Sequence, residues 1–242
     1  MIVFLRSLIF NIAFFSWTAF LCVALSWALA LPRSKMMRVV CWYMKSVSFL
    51  EQAIVGIRYD VRGREYLPQT GCFLVAAKHQ SAWETMKLLL LLDDPAVVLK
   101  RELMKLPVWG WFAAKAEMIP VDRGAPVRAL KSLIAGARKV KESGRPIVIF
   151  PQGTRTAIGE RRPYRVGIGV LYEHLKVPII PMAVNSGLYW PRNGFLKRPG
   201  TILVEFLPPI DPGLERFAAM LELETRLEAA TDALVAEAQK NN

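Results

Sequence analysis

The sequence predicts an α/β fold in which a mostly parallel central sheet is flanked by helices, with a two-helix membrane anchor before it. From residue 57 onwards, short strand-like runs alternate with longer helix-like runs, which is the order that a parallel sheet requires. Two strand-like runs, Cys72–Ala77 and Pro146–Phe150, are apolar throughout, as expected for strands buried on both faces. The first 57 residues instead form two long apolar segments. These observations predict an anchor over residues 1–57 and an α/β domain over residues 58–242.

The first anchor segment is long enough to cross a membrane. No charged residue lies between Arg6 and Arg33, and a helix needs about 20 apolar residues to span a bilayer core. The segment is followed by the cations Arg33, Lys35, Arg38 and Lys45. Because such charges are retained on the inner side, the α/β domain is expected on the cytoplasmic side of the inner membrane. Three matters stay open: a cleaved signal peptide, a buried core helix, and whether the helix spans the membrane or embeds in it.

The second anchor segment, Val39–Ile57, is apolar and aromatic but carries Lys45 and Glu51. These two charges disfavour a second span of the bilayer. Aromatic residues such as Trp42 and Tyr43 beside cations favour an amphipathic helix that lies at the level of the lipid headgroups.

Seven strands are predicted from runs rich in β-branched residues, several of them bounded by glycine or proline. In chain order they are Ile57–Arg62, Cys72–Ala77, Ala96–Leu99, Ala116–Val121, Pro146–Phe150, Val177–Val184 and Thr201–Phe206. Helices are predicted for the leucine-rich run Met86–Leu92, the basic run Pro126–Glu142 and the long run Leu214–Gln239. In chain order, predicted strands and predicted helices alternate, which is the basis of the α/β prediction.

The composition narrows the classes of partner. The chain of 242 residues has a formal net charge of +12, which indicates an anionic partner: nucleic acid, a phosphorylated small molecule or an acidic membrane surface. The basic residues are dispersed and accompany a membrane segment, so an anionic phospholipid membrane is favoured over nucleic acid. Cys22, Cys41 and Cys72 lack paired spacing and the two histidines are isolated, so neither a disulfide framework nor a metal site is expected.

A histidine and a carboxylate flank the junction between a predicted strand and a predicted helix. His79 follows Cys72–Ala77, and Glu84 precedes Met86–Leu92. Within one regular helix, residues five apart lie roughly 140° apart around the axis, so their side chains would not meet. With His79 in the loop and Glu84 in the first helical turn, the carboxylate can orient the imidazole as a general base. On these two residues alone, a structural histidine is the commoner case.

The segment Phe150–Thr156 follows the most β-branched of the predicted strands. Gly153 permits close approach of the backbone to a ligand, and Thr154 offers a hydroxyl and an amide donor. Arg155 suits bidentate recognition of a phosphate group. In isolation, the segment is also compatible with an ordinary turn at the end of a strand.

Four blocks in this order resemble the signature of the glycerolipid acyltransferase family. They are Lys78–Thr85, Lys100–Leu103 with Pro107 and Gly110, Phe150–Thr156, and Val177–Pro181; Ile119–Arg123 is similar to the stretch after the second block. The resemblance runs from about residue 57 to residue 210, and the hydrophobic N-terminus fits it as well. It implies that residues 58–242 form the catalytic domain of a membrane-bound acyltransferase.

The resemblance also implies a reaction and the roles of individual residues. The enzyme would transfer a fatty acyl chain to the sn-2 hydroxyl of lysophosphatidate and so make phosphatidate. Acyl-CoA or acyl-carrier protein would serve as the co-substrate, and no further cofactor is implied. His79, oriented by Glu84, would be the general base. Arg101, Arg155 and Arg123 would bind the phosphate of the acceptor.

Two positions depart from the family pattern. Glu84 stands where the family usually has Asp, so a longer side chain has to orient the imidazole. Gln152 stands where the family usually has Glu, and an amide can bond glycerol oxygens but cannot act as a base or as an anionic partner. Gln152 is assigned to the acceptor loop together with Gly153 and Thr154, whose amides are expected to stabilise developing charge.

Three other interpretations remain at this point. The departure at Gln152 leaves open the same chemistry on another lyso-lipid acceptor. A non-catalytic membrane-binding protein is the second, although such a role does not require the pairing of His79 with Glu84. A serine nucleophile at Ser81 is the third, but the chain contains no Gly-x-Ser-x-Gly elbow, so direct transfer is favoured.

Overall fold

The computed structural model describes residues 1–122 and 124–240, and its centre is a seven-stranded sheet of order β1-β7-β6-β2-β5-β3-β4. The strands are β1 Ile57–Arg62, β2 Leu74–Ala77, β3 Ala96–Lys100, β4 Ile119–Val121, β5 Ile147–Ile149, β6 Ile179–Val184 and β7 Gly200–Phe206. Strands β6, β2, β5, β3 and β4 are parallel. Strand β7 runs antiparallel to β6 and parallel to β1. The predicted α/β fold with a mostly parallel sheet is confirmed.

Helices cover both faces of the sheet. They are α1 Ile2–Ala24, α2 Arg33–Leu50, α3 Trp83–Leu91, α4 Trp109–Lys115, α5 Pro126–Glu142, α6 Val166–Leu175 and α7 Arg216–Lys240. Helices α5, α6 and α7 share one hydrophobic core with the sheet. Helices α1 and α3 contribute to the core on the opposite face. The bounds of α5 agree with the sequence prediction.

Helix α4 is absent from the predicted helices, and its position depends on a glycine. A Cβ atom at Gly110 would lie 2.1 Å from the carbonyl oxygen of Met104, so only glycine permits this approach of α4 to the preceding 3-10 helix, Arg101–Lys105. Ala116, where the sequence predicts the start of a strand, is instead the C-cap residue of α4, and β4 begins at Ile119. The packing of this short helix thus determines where strand β4 begins.

Strand β2 lies at the centre of the sheet and is buried along its whole length. Its side chains alternate between the two cores: Leu74 and Ala76 belong to the core of α7, and Val75 and Ala77 belong to the core of α3. Because alternation in extended backbone continues past the strand, the next two side chains are directed to opposite faces. This alternation determines the surroundings of the residues that follow β2.

The N-terminal segment packs against the α/β domain but leaves a broad apolar surface exposed. Phe10 of α1 is fully buried and its ring lies 5.2 Å from that of Trp190. Lys197 Nζ donates to Asn11 Oδ1 at 2.7 Å, which ties the polar side of α1 to the domain. The exposed apolar side chains include Phe4, Ile12, Phe15, Phe20, Trp27, Trp42 and Phe49. Within the described residues, α1 is the one helix long and apolar enough to cross a membrane.

Candidate active site

The loops after three parallel strands meet at one edge of the sheet. Strand β2 pairs with β5, and β5 pairs with β3, all in the same direction. Their carboxyl ends therefore lie side by side, and ligands of open α/β sheets bind at this edge. His79 follows β2, the segment Phe150–Thr156 follows β5, and Arg101 follows β3. The topology brings together segments that are separated by up to about 70 residues in the chain.

The imidazole of His79 is hydrogen-bonded to the carboxylate of Glu84. His79 lies in the loop between β2 and α3, and Glu84 is the second residue of α3. His79 Nδ1 lies 2.8 Å from Glu84 Oε1; the carboxylate is fully buried, whereas 15% of the imidazole side chain is exposed. A carboxylate on Nδ1 fixes the tautomer with Nε2 unprotonated. The geometry therefore presents Nε2 as an acceptor for a proton.

Three further donors hold the Glu84 carboxylate. The backbone N–H groups of Gln80 and Ser81 both donate to Oε1 at 2.7 Å. The hydroxyl of Ser186 donates to Oε2, also at 2.7 Å. Every one of these bonds is charge-assisted, and the first turn of α3 adds a favourable dipole. The longer side chain of Glu84 is thus accommodated by the loop around it.

The ring and the backbone of His79 are both fixed by the segment after β5. The imidazole stacks on Phe150, with ring centroids 3.9 Å apart and an interplanar angle of 19°. The backbone N–H of Thr156 donates to the carbonyl oxygen of His79 at 2.8 Å. The orientation of His79 therefore depends on the segment after β5 as well as on Glu84.

Gly153 forms a tight turn in this segment. Its φ of +68° is in the left-handed region, and an added Cβ would lie 3.2 Å from Arg165 Cγ. The N–H of Gly153 donates to the carbonyl oxygen of Phe150 at 2.9 Å, so this amide is already committed to the turn. This bond disfavours the predicted role of the Gly153 amide in stabilising developing charge, and the same role for the Thr154 amide stays a prediction.

Gln152 lies beneath the surface, with 2% of the residue exposed. Its Nε2 donates to Glu228 Oε1 at 3.0 Å, and its Oε1 is buried without a hydrogen-bond partner in residues 1–122 and 124–240. The same Glu228 oxygen accepts from Lys78 Nζ at 2.8 Å and from the Tyr164 hydroxyl at 2.9 Å. Burial, with the adjacent carboxylate, raises the pKa of Tyr164, which keeps its hydroxyl a donor. The structure thus directs the amide of Gln152 towards α7.

The predicted phosphate ligands lie at the same edge of the sheet. Arg101 is exposed at the start of the 3-10 helix after β3, and Arg155 is partly exposed in the turn after β5. Neither guanidinium has an ion-pair partner within the described residues 1–122 and 124–240. Arg123, the third predicted phosphate ligand, lies outside the described residues.

An apolar cavity of about 210 Å³ has one wall on helix α3, although neither His79 nor Glu84 lines it. Its lining includes Thr85 and Met86, which directly follow Glu84 in α3. The remaining walls come from α1, α2, β3 and α4, among them Leu21, Tyr43, Leu99, Phe112 and Ala113. The cavity therefore lies between the N-terminal helices and the α/β domain, with an almost wholly apolar lining.

Ser81 has a structural position. The residue is fully buried, and its Oγ accepts a hydrogen bond from the backbone N–H of Trp83 at 3.1 Å. That bond satisfies one of the donors at the start of α3, which is the role of a capping hydroxyl. The geometry gives no support to a serine nucleophile.

Several residues that shape this site carry no local signal in the sequence. Ser186 follows β6 and Glu228 lies within α7, so both reach the site only through the tertiary fold. Lys78 adjoins the histidine, but its partner is 150 positions away. The alternation along β2 does predict where the Lys78 side chain points, because it lies on the same face of the strand as Leu74 and Ala76.

The sequence of this chain is similar to those of known proteins. Residues 58–185 match the Acyltransferase family. The chain is 37% identical over 205 residues to the 1-acyl-sn-glycerol-3-phosphate acyltransferase of Pseudomonas aeruginosa, which covers 85% of this chain and 79% of that protein. It is 30% identical to 1-acyl-sn-glycerol-3-phosphate acyltransferase alpha of Mus musculus, over 65% of this chain and 56% of that protein.

The fold also matches a solved structure, that of the 1-acyl-sn-glycerophosphate (LPA) acyltransferase PlsC from Thermotoga maritima. The TM-score is 0.71 with 21% sequence identity, and the match covers 96% of this chain and 94% of that one. The sequence match extends over more than half of the chain and includes the loops after β2 and β5. The chain therefore belongs to the glycerolipid acyltransferase family that its sequence blocks resemble.

Proposed function

We propose that the protein is a membrane-bound enzyme that transfers a fatty acyl chain to the sn-2 hydroxyl of lysophosphatidate and so makes phosphatidate. The observation that carries the proposal is the hydrogen-bonded pair of His79 and Glu84 at the carboxyl end of β2; the helix that carries Glu84 also forms one wall of an apolar cavity. The names of the relatives from Pseudomonas aeruginosa and Mus musculus support this acceptor.

His79 is the general base in this proposal. As the acceptor hydroxyl attacks, its proton passes to Nε2 while Glu84 stabilises the imidazolium through Nδ1. The oxygen–carbon ester bond forms, the carbon–sulfur bond of the thioester breaks, and the thiolate leaves with the proton from His79. Acyl-CoA or acyl-carrier protein supplies the thioester, and no metal or other cofactor takes part. The amide of Thr154 stabilises the negative charge that develops on the carbonyl oxygen.

The phosphate of the acceptor is bound by Arg155 and Arg101, with Arg123 as a third ligand from outside the described residues. Guanidinium groups form forked, charge-assisted bonds with phosphate oxygens, and within residues 1–122 and 124–240 neither Arg101 nor Arg155 has an ion-pair partner that would compete for it. Their loops follow β5 and β3, which are neighbours, so both cations can reach one ligand.

Residues 1–57 anchor the enzyme at the inner membrane in this proposal, with the α/β domain on the cytoplasmic side. The large exposed apolar side chains of α1 and α2 are energetically unfavourable in water and favourable in lipid. Hydrogen bonds between Lys197 and α1, from Lys197 Nζ to Asn11 and from the Ser7 hydroxyl to the Lys197 carbonyl oxygen, favour a helix that is embedded alongside the domain over one that departs from it to span the bilayer. An anionic lipid surface also suits the net charge of +12.

The acceptor is tested by supplying the detergent-purified protein with labelled acyl-CoA or acyl-carrier protein and a panel of lyso-lipids. We expect the highest kcat/KM with lysophosphatidate. We expect Arg155→Ala to raise KM for lysophosphatidate by on the order of 10- to 100-fold, because a charge-assisted bond contributes about 1.5–3 kcal/mol. KM for the acyl donor should change far less.

Arg138→Ala is the matched control for this experiment. Arg138 is exposed near the C-terminal end of α5, which leads to the amino end of β5 and hence to the opposite edge of the sheet. Its removal should leave both KM values unchanged. Equal increases in the two KM values of Arg155→Ala would show that the phosphate site is wrongly placed, and a preference for another lyso-lipid would replace the proposed acceptor.

The apolar cavity is proposed to hold the acyl chain, which predicts an effect on chain length. Ala113 of α4 lines the cavity and is buried, so Ala113→Trp would fill part of the space. We expect the preferred acyl donor to become shorter, since each methylene that loses its buried place costs about 0.8 kcal/mol. Competition between labelled donors of different lengths measures the preference. Ala114→Trp, on the exposed side of the same helix, should leave it unchanged.

A further inference from the structure

A buried ion pair lies directly behind the catalytic histidine. Lys78 and Glu228 are 2% and 3% exposed, and Lys78 Nζ contacts both carboxylate oxygens, at 2.8 and 2.7 Å. Taking two charges out of water is unfavourable unless they are paired and hydrogen-bonded. This pair meets that requirement, so it is stable only while both partners are in place.

The ion pair connects both loops of the site to helix α7. Lys78 immediately precedes His79, and the two side chains are directed to opposite faces of the sheet. Gln152, which precedes Gly153 in the other loop, donates to the same carboxylate of Glu228 at 3.0 Å. A single side chain of α7 therefore holds the residue before the base and the residue before the glycine turn.

The charge balance of this cluster explains why an amide, and not a carboxylate, suits position 152. Lys78 and Glu228 together are neutral, and Gln152 contributes a donor without a charge. A carboxylate at position 152 would place two anions against one cation among side chains that are no more than 3% exposed. The amide oxygen of Gln152 stays buried and unpartnered within residues 1–122 and 124–240, so the position keeps its neutral donor at the cost of an unsatisfied acceptor.

We infer that Glu228 is a positioning residue for acyl transfer: through Lys78 and Gln152 it fixes the base loop and the glycine-turn loop relative to each other. In this inference, Lys78 needs one carboxylate and one neutral amide beside it, at positions 228 and 152. The inference predicts that the carboxylate can be moved from position 228 to position 152 if the amide moves the other way. For its kinetic readout, the inference rests on the proposed function.

A charge-exchange experiment tests this prediction. Glu228→Gln leaves Lys78 without a counter-charge, and Gln152→Glu adds a second anion. Each single variant should lower kcat by on the order of tenfold or more, with KM for both substrates little changed, because residues of one buried ion-pair network are strongly coupled. The double variant Gln152→Glu with Glu228→Gln restores the charge balance, and its kcat should return to within about threefold of wild type.

Glu237→Gln is the matched control. Glu237 is on the same helix and pairs with Arg62 at 2.7 Å, but both side chains are about 40% exposed. Exposed pairs contribute little, so this variant should keep the wild-type kcat. A folded Glu228→Gln variant with wild-type kcat, or a folded double variant as slow as the single ones, would overturn the inference. If Glu228→Gln fails to fold, a folded and active double variant supports it.

A second readout does not depend on the substrate. The chain has two histidines, so carbethoxylation of His79 by diethyl pyrocarbonate can be measured by mass spectrometry against exposed His174 in the same molecule. Glu228→Gln should speed the reaction of His79 relative to His174, and the double variant should restore the ratio. An unchanged ratio contradicts the positioning role even if transfer is observed. If the wild type transfers no acyl chain but the ratios of His79 to His174 reaction change as predicted, the proposed function is contradicted and the positioning role of Glu228 is not.

Discussion

His79→Ala is expected to lower kcat by a factor on the order of 10² to 10⁴, which is the usual contribution of a general base. The variant removes Nε2, the atom proposed to accept the proton of the hydroxyl. It should leave the surroundings intact, because the Glu84 carboxylate keeps the backbone donors of Gln80 and Ser81 and the hydroxyl of Ser186. KM for both substrates should therefore change little.

Steady-state transfer of a labelled acyl chain measures this effect, with folding checked by circular dichroism in the same detergent. His174→Ala is the matched control: its Nδ1 lies 3.0 Å from the Val170 carbonyl oxygen within α6, and the residue is exposed. It should keep the wild-type kcat. Undiminished transfer by folded His79→Ala would exclude His79 as the base.

The parts of the site that the sequence predicts are local. An apolar strand before His79 and a helix around Glu84 suffice to infer that a loop brings the two side chains together, and the structure has that arrangement. A mostly parallel sheet likewise follows from the alternation of strands and helices. Both inferences need only the nearest residues and the general rules of sheet topology.

The parts that the sequence does not predict are those set by distant packing. Glu228 occurs in a helix of mixed composition, and only the tertiary fold shows that it faces the core beside Leu227 and Thr231. Helix α4 depends on the approach of Gly110 to another backbone segment, which no periodicity reveals. The departure at Gln152 has the same origin, since its reason is a carboxylate on a helix that begins more than 60 residues later.

A second buried ion pair links the N-terminal helices to the helix that carries Glu84. Glu51 lies in the π-helical turn after α2, and its carboxylate contacts Lys87 Nζ of α3; the two side chains are 1% and 2% exposed. Trp83 Nε1 donates to the same carboxylate at 3.2 Å, and Lys87 also donates to Ser48. Burial raises the pKa of Glu51 and lowers that of Lys87, with the partner charge opposing each shift. The pair therefore depends on mutual neutralisation.

Lys87→Met is expected to destabilise the protein by about 3–5 kcal/mol, because it leaves the Glu51 carboxylate buried without a counter-charge. For a chain of this size, the melting temperature should fall by roughly 10 °C. Thermal unfolding in detergent, followed by circular dichroism, measures the change. Lys139→Met is the matched control, since Lys139 pairs with Glu117 at 3.1 Å but is 71% exposed. It should leave the melting temperature within about 2 °C of wild type.

The pH dependence of Lys87→Met separates an unpaired charge from a loss of packing. Without Lys87, the pKa of buried Glu51 lies above the ordinary value of 4.5 in the folded state, so the folded protein keeps a proton that the unfolded chain has lost. A carboxyl group with a raised folded pKa loses stability as the pH rises through that window. The deficit of Lys87→Met should therefore be smaller near about pH 5 than near about pH 8. The double variant Glu51→Gln with Lys87→Met should lack this dependence and recover part of the stability. A deficit that is equal at both pH values would assign the loss to packing.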